Sequence, residues 1–347
     1  MHKLVFFVFI SLLLICSSYS QDFDSIDAIV DRYPKKFKTS KKLADQIAKD
    51  FDSELDKAKA LFSWITKNIS YDYKESGKYY TDYANSYKSV QHNPFPSFRS
   101  ANYMDYDKSK SGSKKHLKTE KKYREKISKR VISNGTAVCE GYTQLFKEVC
   151  DHLGITCFYV LGKAKNQISH IGKDYRIDHA WNIIEIDFKK YLIDVTWGST
   201  GYYDIKTKQF VEQPNYFYFG TDPEDFIKEH YPDFYENSLL KEQISKETFS
   251  NAPLFFNHEK SQDFSLIRPL EGILIKEDDT IKEFVVEYDQ PIFSIIYLIN
   301  NRQFSYRGEL EYQEGKVGFK IDLSAVPNAK ELTIVINEIP MVGFKIE

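Results

Sequence analysis

Residues 134–146, NGTAVCEGYTQLF, set Cys139 between a glycine-bearing turn at Gly135 and what reads as the first turn of a helix. Most cysteines in globular proteins are small buried hydrophobes. A cysteine at a helix start stands apart, because unpaired backbone N–H groups and the helix dipole favour an anion there. The same N–H groups can hold the oxyanion of a tetrahedral intermediate. Downstream, Tyr142, Leu145, Phe146, Val149, Cys150 and Leu153 fall on one broad face, and Gly154 stands where a helix-ending glycine belongs. The spacing predicts a helix over 139–153.

A cysteine nucleophile needs a base and a group that orients the base. The next dense stretches offer both. ITCFYVLGKA reads as a buried strand, and HAWNIIEI and KYLIDVTW as two more, joined by a short turn at Asp187–Phe188 or Phe188–Lys189, the first of which sets the pairing considered next. With that turn His179 sits opposite Thr196, and Asp194 is a diagonal neighbour on the same face. A one-residue slip would put them on opposite faces, so spacing alone leaves the pairing open. Trp181 shares the face of His179 and can shield the imidazole; Trp197 and Trp181 read equally well as core aromatics.

Upstream, DSELDKAKALFSWITKNISYDY predicts a helix capped by Ser53, with Leu55, Ala58, Leu61, Phe62 and Ile65 as a core stripe. Between 107 and 130 stand eleven Lys or Arg against three acids. This basic insertion, near 88–130, reads as a solvated excursion; the alternative is a basic flap that attracts an acidic partner. After Gly198 comes a loop-rich segment, in which Thr221 or Asp222 caps a short helix opened by Pro223. From about Phe264 the pattern is all-β, which predicts a small sandwich over 250–347.

The chain has 347 residues, enough for two domains, with 42% hydrophobic and 28% charged residues. A net charge of -2 argues against a general nucleic-acid binder. No Walker or dinucleotide glycine motif, CxxC pair or HExxH occurs, so no metal or nucleotide cofactor is expected. Residues 1–20 read as a signal peptide: Lys3, an apolar run from Leu4 to Ile15, and a small-x-small site at Ser18–Ser20. The expectation is a secreted, periplasmic or surface protein of residues 21–347, without a membrane span after cleavage. Three cysteines then remain. Cys139 and Cys150 lie roughly 16 Å apart on a continuous helix, too far for a disulfide. Cys150 and Cys157 are left as either a disulfide or two buried thiols, with Cys139 the free thiol.

Three blocks carry a resemblance: Cys139-Glu-Gly141-Tyr142, His179-Ala180-Trp181 and Asp194-Val195-Thr196-Trp197. In this order and spacing they resemble the transglutaminase-like core of the papain-like cysteine enzymes. YFYFGTDPEDFIKEHYPDFYENSLL is similar to the segment after that core in the kyphoscoliosis-peptidase branch. The resemblance covers roughly residues 40–245. It implies an α+β fold: N-terminal helices, a cysteine at a helix start and an antiparallel sheet carrying His and Asp, here in a domain over 21–249. It also implies a Cys139–His179–Asp194 triad acting on protein or peptide amides, by hydrolysis or by cross-linking, with hydrolysis preferred. Trp181, Trp197, Tyr142 and Asn134 are the expected substrate-side residues. The place of the papain-like oxyanion glutamine, six residues before the cysteine, holds Ser133. The competing reading is a non-catalytic surface binding or scaffold protein on the same fold. Asp194→Asn is expected to leave the hairpin intact.

Overall fold

The computed structural model describes residues 23–72, 114–199, 213–256, 264–277 and 280–347, with strands at 202–204 and 209–211. The expected signal peptide and the first part of the basic insertion lie outside the described residues.

Three helices open the fold: α1 (Asp24–Val30), α2 (Ser40–Asp50) and α3 (Glu54–Asn68). Ser53 caps α3, its Oγ accepting the Asp56 N–H at 3.0 Å, as the sequence predicts. The stripe of α3 is buried, with Ala58, Leu61, Phe62 and Ile65 fully covered.

The basic segment departs from expectation. Lys114–Asn134 forms a helix, α4, whose Ile127, Val131 and Ile132 are buried. Arg124 and Tyr123 of this helix find acids within the chain. Arg124 bonds to Glu148 at 2.9 Å and Asp151 at 2.5 Å, and Tyr123 donates to Glu140 at 2.6 Å. All three acids lie on α5 (Cys139–Leu153). The apolar spacing of Ile127, Val131 and Ile132 is helical, but it is diluted by lysines, and this hid the helix from composition.

Helix α5 has the bounds predicted for it. Gly154 ends it in the left-handed region at φ 79°, where an L side chain is strained. A short parallel pair, β1 (Ser70–Tyr71) with β2 (Thr136–Ala137), ties the segment before Cys139 to the end of α3. Gly135 turns the chain there at φ 72°.

Helix α5 packs on an antiparallel sheet of β3 (Thr156–Ala164), β4 (His179–Ile186) and β5 (Lys189–Ile193). Thr143 Oγ1 donates to Ala180 O at 3.1 Å, and Asn182 Nδ2 to Thr143 O at 3.3 Å. The β4–β5 hairpin turns at Asp187 and Phe188, both with positive φ (51° and 61°), the pattern of a two-residue primed turn. Its register is the one that a turn centred on Asp187–Phe188 sets, with Asn182 opposite Ile193. The strand predicted through Trp197 ends earlier. Asp194 Oδ1 accepts the N–H groups of Thr196 (2.8 Å) and Trp197 (3.0 Å), capping a helical turn, α6 (Val195–Gly198), that takes those donors out of the ladder.

The loop-rich segment contributes strands as well. A hairpin of β6 (Tyr202–Asp204) and β7 (Gln209–Val211) precedes β8 (Phe219–Thr221), which joins the sheet beside β5. Asp222 caps α7 (Pro223–Phe226), and β9 (His230–Pro232) joins beside β3. The sheet order is therefore β8-β5-β4-β3-β9.

The C-terminal part is two sheets around a separate core. One comprises β10 (Leu254–Phe255), β12 (Ile273–Leu274), β14 (Ile295–Ile299), β15 (Arg302–Ser305), β18 (Glu331–Ile336) and β19 (Ile339–Ile346). The other comprises β11 (Phe264–Arg268), β13 (Ile281–Tyr288), β16 (Glu311–Gln313) and β17 (Lys316–Asp322). Phe284 and Phe319 of the second sheet are buried, and Phe344 of the first meets Phe284 at 5.3 Å between ring centroids. Helix α8 (Lys246–Asn251) and its C-cap Ala252 come just before β10 of the first sheet. Buried Lys165 donates to its carbonyls, Phe249 O at 2.9 Å and Ala252 O at 2.7 Å. Among the described residues no helix is long and apolar enough to cross a membrane.

Candidate active site

The start of α5 and the start of β4 bring Cys139 to His179. Cys139 is partly exposed, and it lies close enough to His179 to help hold the proton of the imidazole. His179 is 7% exposed, and its Nε2 lies 2.6 Å from Oδ2 of Asp194, which is fully buried. With Nε2 engaged by the carboxylate, Nδ1 is the nitrogen left for the thiol. Val138 offers no side-chain cap to α5, so the helix start is left to whatever occupies the cysteine.

The electrostatics follow from this packing. Burial disfavours a charged His179, but the Asp194 charge and hydrogen bond, together with Cys139, outweigh it and push the imidazole up to about 10. Burial likewise opposes ionisation of Asp194, yet His179 and His230 hold its carboxyl well below the usual carboxylate range. The pair is therefore an imidazolium and a carboxylate at neutral pH.

His230 escaped the sequence reading. It is fully buried on β9, and its Nε2 lies 2.9 Å from the same Asp194 Oδ2. Register explains the meeting. Gly162 pairs with both His179 and Pro232, and Ala164 pairs with His230. Alternate residues share a face, so His179 and His230 stand on the same side of the sheet. One step beyond Asn182–Ile193, Asp194 falls beside Trp181 on that side. A Cβ at Gly162 would come within 2.3 Å of the Trp181 ring, so the glycine makes the room in which Trp181 lies.

His179, Asp194 and His230 hold three potential metal ligands within 4.8 Å. Two ligands of one tetrahedral zinc ion, each at about 2.1 Å, sit about 3.4 Å apart. The observed 2.6 and 2.9 Å contacts fit shared protons instead.

The remaining expected residues scatter. Trp181 is 1% exposed and packs edge-on to Phe226 and His230, a core position behind the histidines. Trp197 is half-buried, with its ring 5.7 Å from that of His179, and walls the site. Tyr142 is fully buried with its hydroxyl donated to Ile69 O at 2.6 Å; it anchors α5 to α3 and faces no substrate. Asn134 is exposed at the end of α4 and makes no hydrogen bond to Cys139 or His179 among the described residues. Cys150 and Cys157 are free buried thiols in contact with each other, and burial pushes Cys150 well up.

Several known proteins are similar to parts of this chain. The Kyphoscoliosis peptidase of Mus musculus is 35% identical over 143 residues, 39% of this chain and 22% of that protein. Its Homo sapiens counterpart is 38% identical over 115 residues, 33% of this chain and 17% of that protein. The matched stretch thus spans less than a quarter of these relatives. A crystal structure of a TGase superposes with a TM-score of 0.28 at 18% identity, covering 55% of this chain and 36% of the other. The profile of the transglutaminase-like domain family matches residues 38–211, half of the chain and all three of Cys139, His179 and Asp194. The chain belongs to the transglutaminase-like family.

Proposed function

We propose that this chain is an exported cysteine enzyme acting on protein or peptide amides, with Cys139 as nucleophile, His179 as general base and acid, and Asp194 as orienting carboxylate. The single observation that carries the reading is the buried His179–Asp194 hydrogen bond of 2.6 Å, with partly exposed Cys139 beside the same imidazole. With the thiol proton already held on His179, the sulfur attacks the amide carbonyl carbon as a thiolate. The oxyanion that forms faces the N-terminus of α5, where backbone dipoles favour negative charge. His179 then returns its proton to the departing amine, leaving a thioester. Water attacks the thioester with His179 taking its proton, and the carboxylic acid leaves as the thiol is restored.

Hydrolysis is preferred over cross-linking because no dedicated amine-binding group stands beside the cysteine among the described residues. The apolar leader in the sequence supports export. The test uses a denatured, fluorescence-quenched protein substrate with and without an added primary amine. Release of fluorescence that is abolished by Cys139→Ala and unaffected by the amine supports a hydrolase. Amine incorporation turns the reading to cross-linking. No turnover of either kind, with Cys139 unreactive to iodoacetamide below pH 9, sinks the enzyme reading in favour of a scaffold.

A further inference from the structure

We propose that His230 is a positioning residue of this site, a permanently neutral imidazole whose Nε2–H fixes the Asp194 carboxylate so that His179 is held in line with Cys139. The inference deepens the reading of the Cys139–His179–Asp194 chain and rests on it. His230 lies outside the stretch matched by the family profile.

The geometry begins with the carboxylate. Asp194 is wholly enclosed and accepts four hydrogen bonds: Oδ1 from two backbone N–H groups, Oδ2 from two imidazoles. A carboxylate accepts and does not donate, so each Nε2 that faces it carries a proton. On His230 that proton is the ring's only one. Its Nδ1 has no hydrogen-bond partner among the described residues and is buried, which suits a bare ring nitrogen and not a charged N–H.

The surroundings enforce neutrality. The Phe226 ring stacks on His230 at 4.1 Å and Trp197 lies at 4.3 Å, with Trp181 edge-on at 5.3 Å. The titratable groups that face it are Asp194, His179 at 5.5 Å between ring centroids, and Tyr218 at 6.1 Å, whose hydroxyl is donated to Glu229. Burial pushes His230 below the usual histidine range, against the pull of Asp194. It can therefore direct Oδ2 without competing with His179 for the positive charge.

The consequence falls on His179. Oδ1 is pinned to the start of α6, so the carboxylate can still swing only about that anchor. His230 removes this freedom from the opposite side. Without it Oδ2 can turn from His179, and the imidazolium that stabilises the thiolate loses its fixed direction.

The experiment compares the parent chain, His230→Leu and His230→Gln. Leu fills the space without a donor; the Gln amide can donate from the place of Nε2. The rate of Cys139 alkylation by iodoacetamide is followed from pH 5 to 9 for folded protein, with alkylation sites identified by mass spectrometry. The parent should reach half its maximal rate near or below neutrality. His230→Leu should shift that midpoint upward by about one pH unit, so that alkylation well below the parent's midpoint falls about tenfold, and Gln should restore it to within about threefold. A midpoint identical in Leu and parent, or a Gln variant as impaired as Leu, overturns the role of His230 while leaving the triad standing. A parent whose Cys139 reacts only in alkali overturns the triad itself. Should the Leu variant fail to fold, nitrogen NMR of the parent's histidine rings decides: the proposal requires His230 to keep one proton, on Nε2, from pH 5 to 8, and a second proton at pH 6 refutes it.

Discussion

Oδ2 of Asp194 accepts from two histidines at once, His179 at 2.6 Å and His230 at 2.9 Å, while Oδ1 caps the turn that follows. One fully buried carboxylate therefore serves the candidate chemistry and the local fold together.

This double duty changes the expectation for Asp194→Asn. The amide can keep the cap through its oxygen, but its NH2 then faces two imidazole N–H donors. The variant should lose about 2–4 kcal/mol of stability, seen as a lower denaturation midpoint. Turnover of its folded fraction should fall on the order of ten- to a thousandfold, about 1.4–4 kcal/mol of barrier. An unfolded-like melt with unchanged specific activity of the folded fraction would show Asp194 to be structural only.

Stability should depend on pH through His179. Its folded value, about 10, lies above the ordinary 6.5, so the folded state holds the proton more tightly. The stabilisation is complete below about pH 6.5 and is lost as pH rises towards 10, by at most about 1.4 kcal/mol per unit. Asp194 acts at the other end: its stabilisation is present above the ordinary carboxylate range and lost as pH falls through it. Urea denaturation of the parent and His179→Gln at pH 6, 8 and 10 should show a stability gap that narrows with rising pH. A gap that widens would contradict the ion pair.

Thiol labelling should be selective. Cys139 is partly exposed, whereas Cys150 and Cys157 are buried. Brief iodoacetamide treatment of folded protein at pH 7 should yield one adduct, on the peptide containing Cys139. Unfolding without reductant should then expose Cys150 and Cys157 as two further thiols. Their absence would mean that they had been joined as a disulfide.

The α4–α5 clamp is open to a double-mutant cycle. Glu148 is nearly buried and bonds to Arg124. Arg124→Met leaves that charge to His152 alone and should cost about 3–5 kcal/mol. Adding Glu148→Gln removes the stranded charge and should recover much of the loss. If the single variant melts like the parent, the clamp is a solvated contact.

Gly162→Ala tests the floor of the site. The added methyl would come within 2.3 Å of both the Trp181 ring and the Tyr231 carbonyl, and backbone cannot yield as a flexible side chain does. Stability should fall by about 1–3 kcal/mol, with indole fluorescence altered by the displaced Trp181. Unchanged fluorescence and melting would show that the sheet relaxes there.

Much of this protein was written locally. Helix α5, its glycine stop and the Ser53 cap follow from periodicity and backbone preference over a few residues, so the sequence alone determined them. The hairpin register was left open by spacing, and the folded turn settles it, bringing Asp194 towards His179. Tertiary structure decided what depends on distant segments. Three-residue strands such as β8 and β9 carry no readable period, and their place in the sheet comes from pairing with β5 and β3. The lysine-rich α4 is held by acids on α5 that only the packed fold brings near. His230 stands 36 residues after Asp194 and meets it only because β9 closes the sheet edge beside Gly162. A side chain's chemistry is encoded at its position, but its partner is chosen by the closure of the fold, and the burial that sets its charge arises only there.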